Sequence, residues 1–322
     1  VRSSGEPIWK RALKHPDEVK QVLSMVSDQG IRRIHRMVKG KLTSGTALGY
    51  SAAGKVIAVG EGISDLVEGD KVACAGAQCA HHAEIIRVPR NLVARMPKDL
   101  SMESGSTVTL GAIALHGVRR CEPTLGETIV VVGLGILGQL TVQYLQSNGC
   151  QGVGLDLDRK RIELAKEHGV MAAFHPDDEN VIDHVHRLTD GYGADAVIVT
   201  AGGPSDQIMS QAFTMCRKKG RVVLVGDVGL GLNRADIFQK ELEFRISTSY
   251  GPGRYDPTYE EGGIDYPISY VRWTENRNME EYLRLLNTKK MTLDGLVTKI
   301  VDIDDATEAY QKLKEGSSDL MV

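Results

Sequence analysis

Aromatic residues are scarce: Phe, Trp and Tyr make up 5% of the 322 residues, and there are 2 Trp. Gly is abundant instead, at 35 residues, a balance that fits many tight turns and an α/β plan. A strong charge of either sign is also missing. The 39 Lys and Arg against 42 Asp and Glu leave a net −3, so no global field favours nucleic acid or a membrane surface. No apolar run approaches the roughly 18–20 residues of a spanning helix, and no signal peptide is read. The cysteines are few, odd in number and scattered: Cys74, Cys79, Cys121, Cys150 and Cys216. They contain no Cys-x-x-Cys pair, so the expectation is a reduced, cytoplasmic chain without a disulfide framework. The chain lacks an initiator Met and ends on Met321-Val322, and both ends read as cut from something longer.

The length suggests two domains. Residues 15–40 read as two helices: Val19, Val22, Leu23 and Val26 share one apolar face, and Ile31, Ile34, Met37 and Val38 another. The second carries a basic face of Arg32, Arg33, Arg36, Lys39 and Lys41, which is either solvated or meets an anionic ligand or partner. From 49 to 88 the pattern changes to short strands at 54–59, 71–75 and 84–88, separated by Gly-rich turns. That spacing suggests a small β-barrel or sandwich. From 102 to 248 strands (128–132, 152–155, 196–199, 221–225) alternate with helices (139–146, 161–168, 206–216). Such alternation implies parallel strands with right-handed crossovers. Residues 250–277 form a long connection rich in Gly, Pro, Tyr and Arg. A helix at 279–286, a strand at 297–301 and a helix at 306–314 complete the expected plan.

The most informative segment is Gly133-Leu134-Gly135-Ile136-Leu137-Gly138, which follows the apolar run 128–132 and opens an apolar helix. Gly133 permits a tight turn, Gly135 lets backbone approach a pyrophosphate, and Gly138 packs helix against strand. The helix N-terminus offers free N–H groups to the anion. The next strand ends at Asp156, eighteen residues beyond Gly138, where a carboxylate can grip both ribose hydroxyls and repel a 2′-phosphate. The unit is read as a Rossmann-type site for NAD(H). Arg159 and Arg161 leave some tolerance of NADP open, and a glycine turn of purely structural use is the bland alternative. Thr200, Val225 and Gly226, at the carboxyl ends of strands, are expected to border the nicotinamide.

The segment Gly49-Tyr50-Ser51-Ala52-Ala53-Gly54-Lys55-Val56 through Gly69-Asp70-Lys71-Val72, with Gly111 to His116, Leu125-Gly126-Glu127 and the glycine motif, resembles the medium-chain dehydrogenase/reductase family over roughly 45–320. The resemblance implies a GroES-like split-barrel catalytic domain (1–104, its first strands missing, with the helical insertion at 15–40), a doubly wound Rossmann domain (105–250), and a return to the catalytic domain (251–322). A narrower resemblance rests on His15-Pro16-Asp17-Glu18-Val19-Lys20-Gln21-Val22 and on Tyr250 to Pro257 through Gly263 to Trp273. It is to the dehydrogenase half of two-domain oxidoreductases from bacterial polysaccharide gene clusters, and implies a second oxidoreductase domain as partner.

Zinc members of the family carry a His-Glu pair where this chain has Tyr50-Ser51, and a further ligand position falls near Val108. Neither Tyr50 nor Val108 suits zinc, and Cys74, Cys79, His81 and His82 match no metal-binding spacing, so no metal is expected. Hydride transfer still needs a group to manage a proton. His82, whose position in the family lines the substrate pocket, and Tyr50 are the catalytic candidates, each weighed against a structural role. Tyr250, Arg254, Tyr255, Arg272 and Trp273 are candidates for an anionic or sugar-like substrate; a loop serving dimer or domain contacts is the alternative. The expected function is NAD(H)-dependent, zinc-independent oxidation or reduction of a small polar alcohol or ketone, a sugar or sugar derivative, by a homodimer. A non-catalytic dinucleotide-binding domain and a zinc-free quinone or enoyl reductase are the rivals.

Overall fold

Six short strands form one parallel sheet. The computed structural model describes residues 48–177 and 180–315, so the expected helices at 15–40, with their basic face, lie outside the described residues. A small antiparallel sheet comes first: β1 (Ser51–Lys55), β2 (Lys71–Ala75) and β3 (Val93–Arg95), in that spatial order. The short helix α1 (Met102–Gly105) and the long helix α2 (Val108–Cys121) follow. Next come β4 (Thr128–Val132), α3 (Ile136–Ser147), β5 (Gln151–Leu155), α4 (Arg159–Glu167), β6 (Ala172–Phe174), α5 (Val181–Leu188), β7 (Ala194–Val199), α6 (Gln207–Met215), β8 (Cys216–Leu224), α7 (Arg234–Phe238) and β9 (Glu243–Ile246). The chain ends its described part with α8 (Pro257–Glu260), α9 (Glu275–Asn287) and α10 (Ala306–Lys314).

The large sheet has the order β6-β5-β4-β7-β8-β9, every neighbouring pair parallel. The chain winds outward one way from β4 and the other way from β7, so the switch point lies between their carboxyl ends, where such sheets bind ligands. Ile129, Val131, Ala196, Ile198 and Val223 point to one face and join one core. Val130, Val197, Val199, Val222 and Leu224 point to the other and join a second. Burial on both faces explains why these strands read as continuous apolar runs. From Gly49 onward the chain packs as one compact unit.

Three expectations needed correction. Segment 84–88 is not a strand: Ile85 is exposed, while Ile86 and Val88 pack as loop residues onto a small core of Leu66, Val72, Cys74, Ala80 and Val93. The strand expected at 54–59 is instead Ser51–Lys55, because its partner β2 runs only from Lys71 to Ala75 and pairs Lys55 with Lys71. Residues 297–301 form no regular strand. Helix α2, not named in the sequence analysis, is buried nearly all round. It packs against β1 and β2 as well as α3, α9 and β8, and so ties the small sheet to the large one.

Candidate functional site

The site is built on the β4–α3 junction. Gly133 has φ +93, a conformation that strains any other L-residue. A Cβ on Gly138 would stand 1.9 Å from the Gly133 carbonyl oxygen, so only glycine lets the helix start against its own turn. Gly135 is different: a Cβ there would meet nothing within 4 Å. No packing demand fixes glycine at 135, and the room in front of its backbone is open. Gly135 is also the N-cap of α3 and supplies no side-chain cap. By contrast α4, α5, α7 and α9 are capped by Asp158, Asn180, Asn233 and Thr274. The first-turn amides of α3, from Ile136 to Gly138, have no intrahelical acceptor and stand at the positive end of the helix. Ile136 and Leu137 rest their side chains on the core, so the backbone is what this turn presents.

The neighbouring groups hold the turn in place. Thr200 Oγ1 donates to the Gly133 carbonyl at 2.6 Å, and the Ala201 amide donates to the Val132 carbonyl at 2.9 Å. Gln139, 1% exposed, donates to the carbonyls of Leu134 and Arg161 and meets His168 Nδ1 at 3.1 Å. Asp156 accepts from the Leu134 amide at 2.5 Å and, through its other oxygen, from the Asp158 amide at 2.8 Å. Arg161 Nη1 stands 3.8 Å from it. Each carboxylate oxygen thus spends one lone pair on backbone and keeps capacity for a hydroxyl. A crevice of about 800 Å³, lined by Gly133, Gly135, Asp156, Ile182, Thr200 and Ile208 among others, opens here. A second lobe of about 870 Å³ continues past Gly135 toward Gln139, Arg161, Leu164 and Gly295. An uncapped helix, an ordered carboxylate and apolar walls fit a dinucleotide: amides for the pyrophosphate, Asp156 for a ribose, aliphatic side chains for a base. Val225 and Gly226 both donate their amides to the Val199 carbonyl at the end of β7.

His82 and Tyr50 come together, with a third residue the sequence did not flag. Tyr310, on α10, meets His82 Nε2 through its hydroxyl at 2.9 Å, the rings 6.0 Å apart edge to face. Burial, then the nearby Tyr310, pushes the Tyr50 phenol up; burial does the same to Tyr310. Both therefore stay protonated, as donors, at neutral pH. The Tyr50 carbonyl accepts from Thr109 Oγ1 at 3.0 Å, on the first turn of α2, beside Val108, which is fully buried. The pair of positions at which zinc relatives would carry ligands is thus a phenol and an aliphatic side chain. Burial pushes the Cys74 thiol up to about 12 and the Cys79 thiol up to about 11. Among the described residues no three His, Cys, Asp or Glu side chains converge on a metal position. Of the positions compared, neither Tyr50 nor Val108 offers zinc a usual ligand.

The segment after β9 divides into two groups. Tyr250 is buried, and Arg254 lies 2.5 Å from Glu260, with its guanidinium 5.3 Å from the Tyr250 ring and 4.2 Å from the exposed Tyr255 ring. Gln78, four residues before His82, donates to Glu260 at 3.2 Å, so this group and the His82 loop share a support. Arg272 and Trp273 lie elsewhere, against Arg119 on α2.

Residues 137–261 match the family described as zinc-binding dehydrogenase. Sorbitol dehydrogenase of Halalkalibacterium halodurans is 25% identical over 303 residues, covering 84% of this chain and 81% of its own. D-guloside 3-dehydrogenase of Escherichia coli is 27% identical over 271 residues, covering 82% and 73%. Among solved structures, galactitol-1-phosphate dehydrogenase from Escherichia coli matches with a TM-score of 0.70 at 21% identity, over 84% of this chain and 81% of that one. That last likeness speaks for the fold.

Proposed function

Taking the chain as an oxidoreductase related to the medium-chain, zinc-binding-type dehydrogenases, we propose that it moves hydride between NAD(H) and a polyol, sugar or sugar derivative without zinc. The observation that carries this is the open space before Gly135 at an uncapped helix end, with Asp156 beside it. The relatives bearing sorbitol and D-guloside in their names support the substrate class. The bound nicotinamide accepts or supplies the hydride. The chain's own residues do the rest. Amides of α3 hold the pyrophosphate, and Asp156, pinned by two backbone N–H groups, takes the adenosine ribose and disfavours a 2′-phosphate. His82 holds or passes the hydroxyl proton, with Tyr310, hydrogen-bonded at Nε2, orienting the ring. Tyr50, a protonated phenol, donates to the substrate oxygen. Tyr255 offers a ring face to a sugar, with Arg254, already paired to Glu260, holding the loop behind it. The narrower resemblance suggests a role in building bacterial polysaccharide.

The test is a panel of polyols, sugars and sugar nucleotides offered with NAD+ and with NADP+, followed by nicotinamide absorbance. Turnover is expected with NAD+, insensitive to chelators. Asp156→Ala should raise KM for NAD+ by about tenfold or more, as expected for hydrogen bonds to a charged group, and raise that for NADP+ less. Equal use of both cofactors by the unaltered protein, or loss of activity on chelation, contradicts the proposal.

A further inference from the structure

A second cavity, of about 440 Å³, lies between the C-terminal ends of α2 and α3 and the side of α9. It shares no lining residue with the crevice at the glycine turn. Ser147 and Asn148 line it, at the opposite end of α3 from Gly135. At 1.5 Å per residue, that helix separates the two by about 18 Å. Leu115, Val118 and Leu285 give it an apolar floor.

Its charges do not cancel. Glu281 is taken up by Arg284 at 2.7 Å, and Glu122 by Arg245 at 2.9 Å. Arg119 and Lys290 also line the cavity, and among the described residues neither has an ion-pair partner. Arg119 Nε is buried without a hydrogen-bond partner. The Arg119 guanidinium lies 3.3 Å from the centre of the Trp273 ring and that of Arg272 3.8 Å from it, too close for both to share one face. Trp273 is thus clasped between two cations and fixes the Arg119 fork in one place. Burial pulls Arg119 down to about 10, with the nearby Glu281 opposing. A desolvated, preset guanidinium is a strong partner for a phosphoryl group.

We infer that this cavity is a binding site for a small phosphomonoester, with Arg119 and Lys290 meeting the dianion and the apolar floor taking the organic part. Three cations and two carboxylates line the cavity, Arg119 and Lys290 hold no ion pair among the described residues, and the volume exceeds what a bare phosphate fills. The site stands apart from the hydride chemistry, so it is a regulatory or tethering site and not a substrate pocket.

The test titrates the whole chain with inorganic phosphate and with glycerol 3-phosphate by calorimetry, ionic strength being held with chloride. Saturable binding at one site per chain is expected. Tighter binding of glycerol 3-phosphate assigns the floor to the organic part; equal binding leaves recognition to the phosphoryl group alone. Arg119→Gln should weaken binding about tenfold or more. Lys290 is exposed, so Lys290→Gln removes a charge without disturbing Trp273 and should weaken binding several-fold. Gly135→Val, which alters the other end of α3, should leave the binding intact. No saturable binding of either probe overturns the inference. So does binding that Lys290→Gln leaves unchanged or Gly135→Val abolishes.

Discussion

The turn at 133–138 and the segment at 250–278 both leave regular structure, and both hold polar groups short of partners. They differ in what encloses those groups. At the turn, the free amides of α3 face an open crevice, while Thr200 and Asp156 satisfy the groups behind them. In the later segment the orphans are shut in: both carboxylate oxygens of Glu275, Asn278 Oδ1, the Tyr250 hydroxyl and Arg254 Nε have no hydrogen-bond partner. Glu275 is fully buried, one helical turn from Asn278. Burial, then the nearby Glu260, pushes its carboxyl up to about 8, with Arg254 opposing. Unspent polarity that solvent can reach is a place for a ligand; unspent polarity in the interior costs stability.

The sharpest way to break the contrast is at the turn's tightest point. Gly138→Ala puts a Cβ against the Gly133 carbonyl and should cost about 3 kcal/mol or more of stability, together with nucleotide binding. Denaturant melts and fluorescence titration with NADH would measure both. Unchanged stability would mean that the helix does not start against its turn as described.

Glu275→Gln should act in the opposite direction. In the unfolded chain the carboxyl ionises near 4.5, whereas in the folded chain it keeps its proton to about 8. Between those values the folded state binds more protons, so the native protein loses stability as pH rises through the window. The glutamine variant lacks that loss. It should match the native protein at pH 5 and exceed it by roughly 2–3 kcal/mol at pH 8.5. A difference that does not change with pH would sink this account of the segment. Thr200→Val removes one hydroxyl bond to the Gly133 carbonyl and should cost about 1 kcal/mol, with a modest loss of NADH affinity. No loss of either would make Thr200 a bystander.

The same contrast explains what could be read in advance. The turn's requirements are local: strand, three glycines and helix are contiguous, and Asp156 ends the strand next door, where Val132 pairs with Leu155. The later segment takes its shape from distant residues. Asn91 donates to the Tyr259 carbonyl, Asn276 to the carbonyls of Asn91 and Val93, and Gln78 to Glu260. Nothing in the spacing of 250–273 says that Arg272 and Trp273 part company with Tyr250 and Arg254. Tyr310 was missed for the same reason, since it reaches His82 across 228 positions. Gln139 had a signal that was available: a buried amide directly after the glycine motif, inside an apolar helix, must be bonding something. Segment 84–88 misled because a strand is set by its partner as much as by its pattern.

Gly135→Val tests the central claim most directly. The new side chain meets no protein atom at its Cβ, and φ of −64 at this position suits any residue. The account predicts a variant that melts with the native protein and binds NADH about a hundredfold more weakly, or not at all, because the valine occupies the room meant for the pyrophosphate. Native affinity in a folded variant would contradict it.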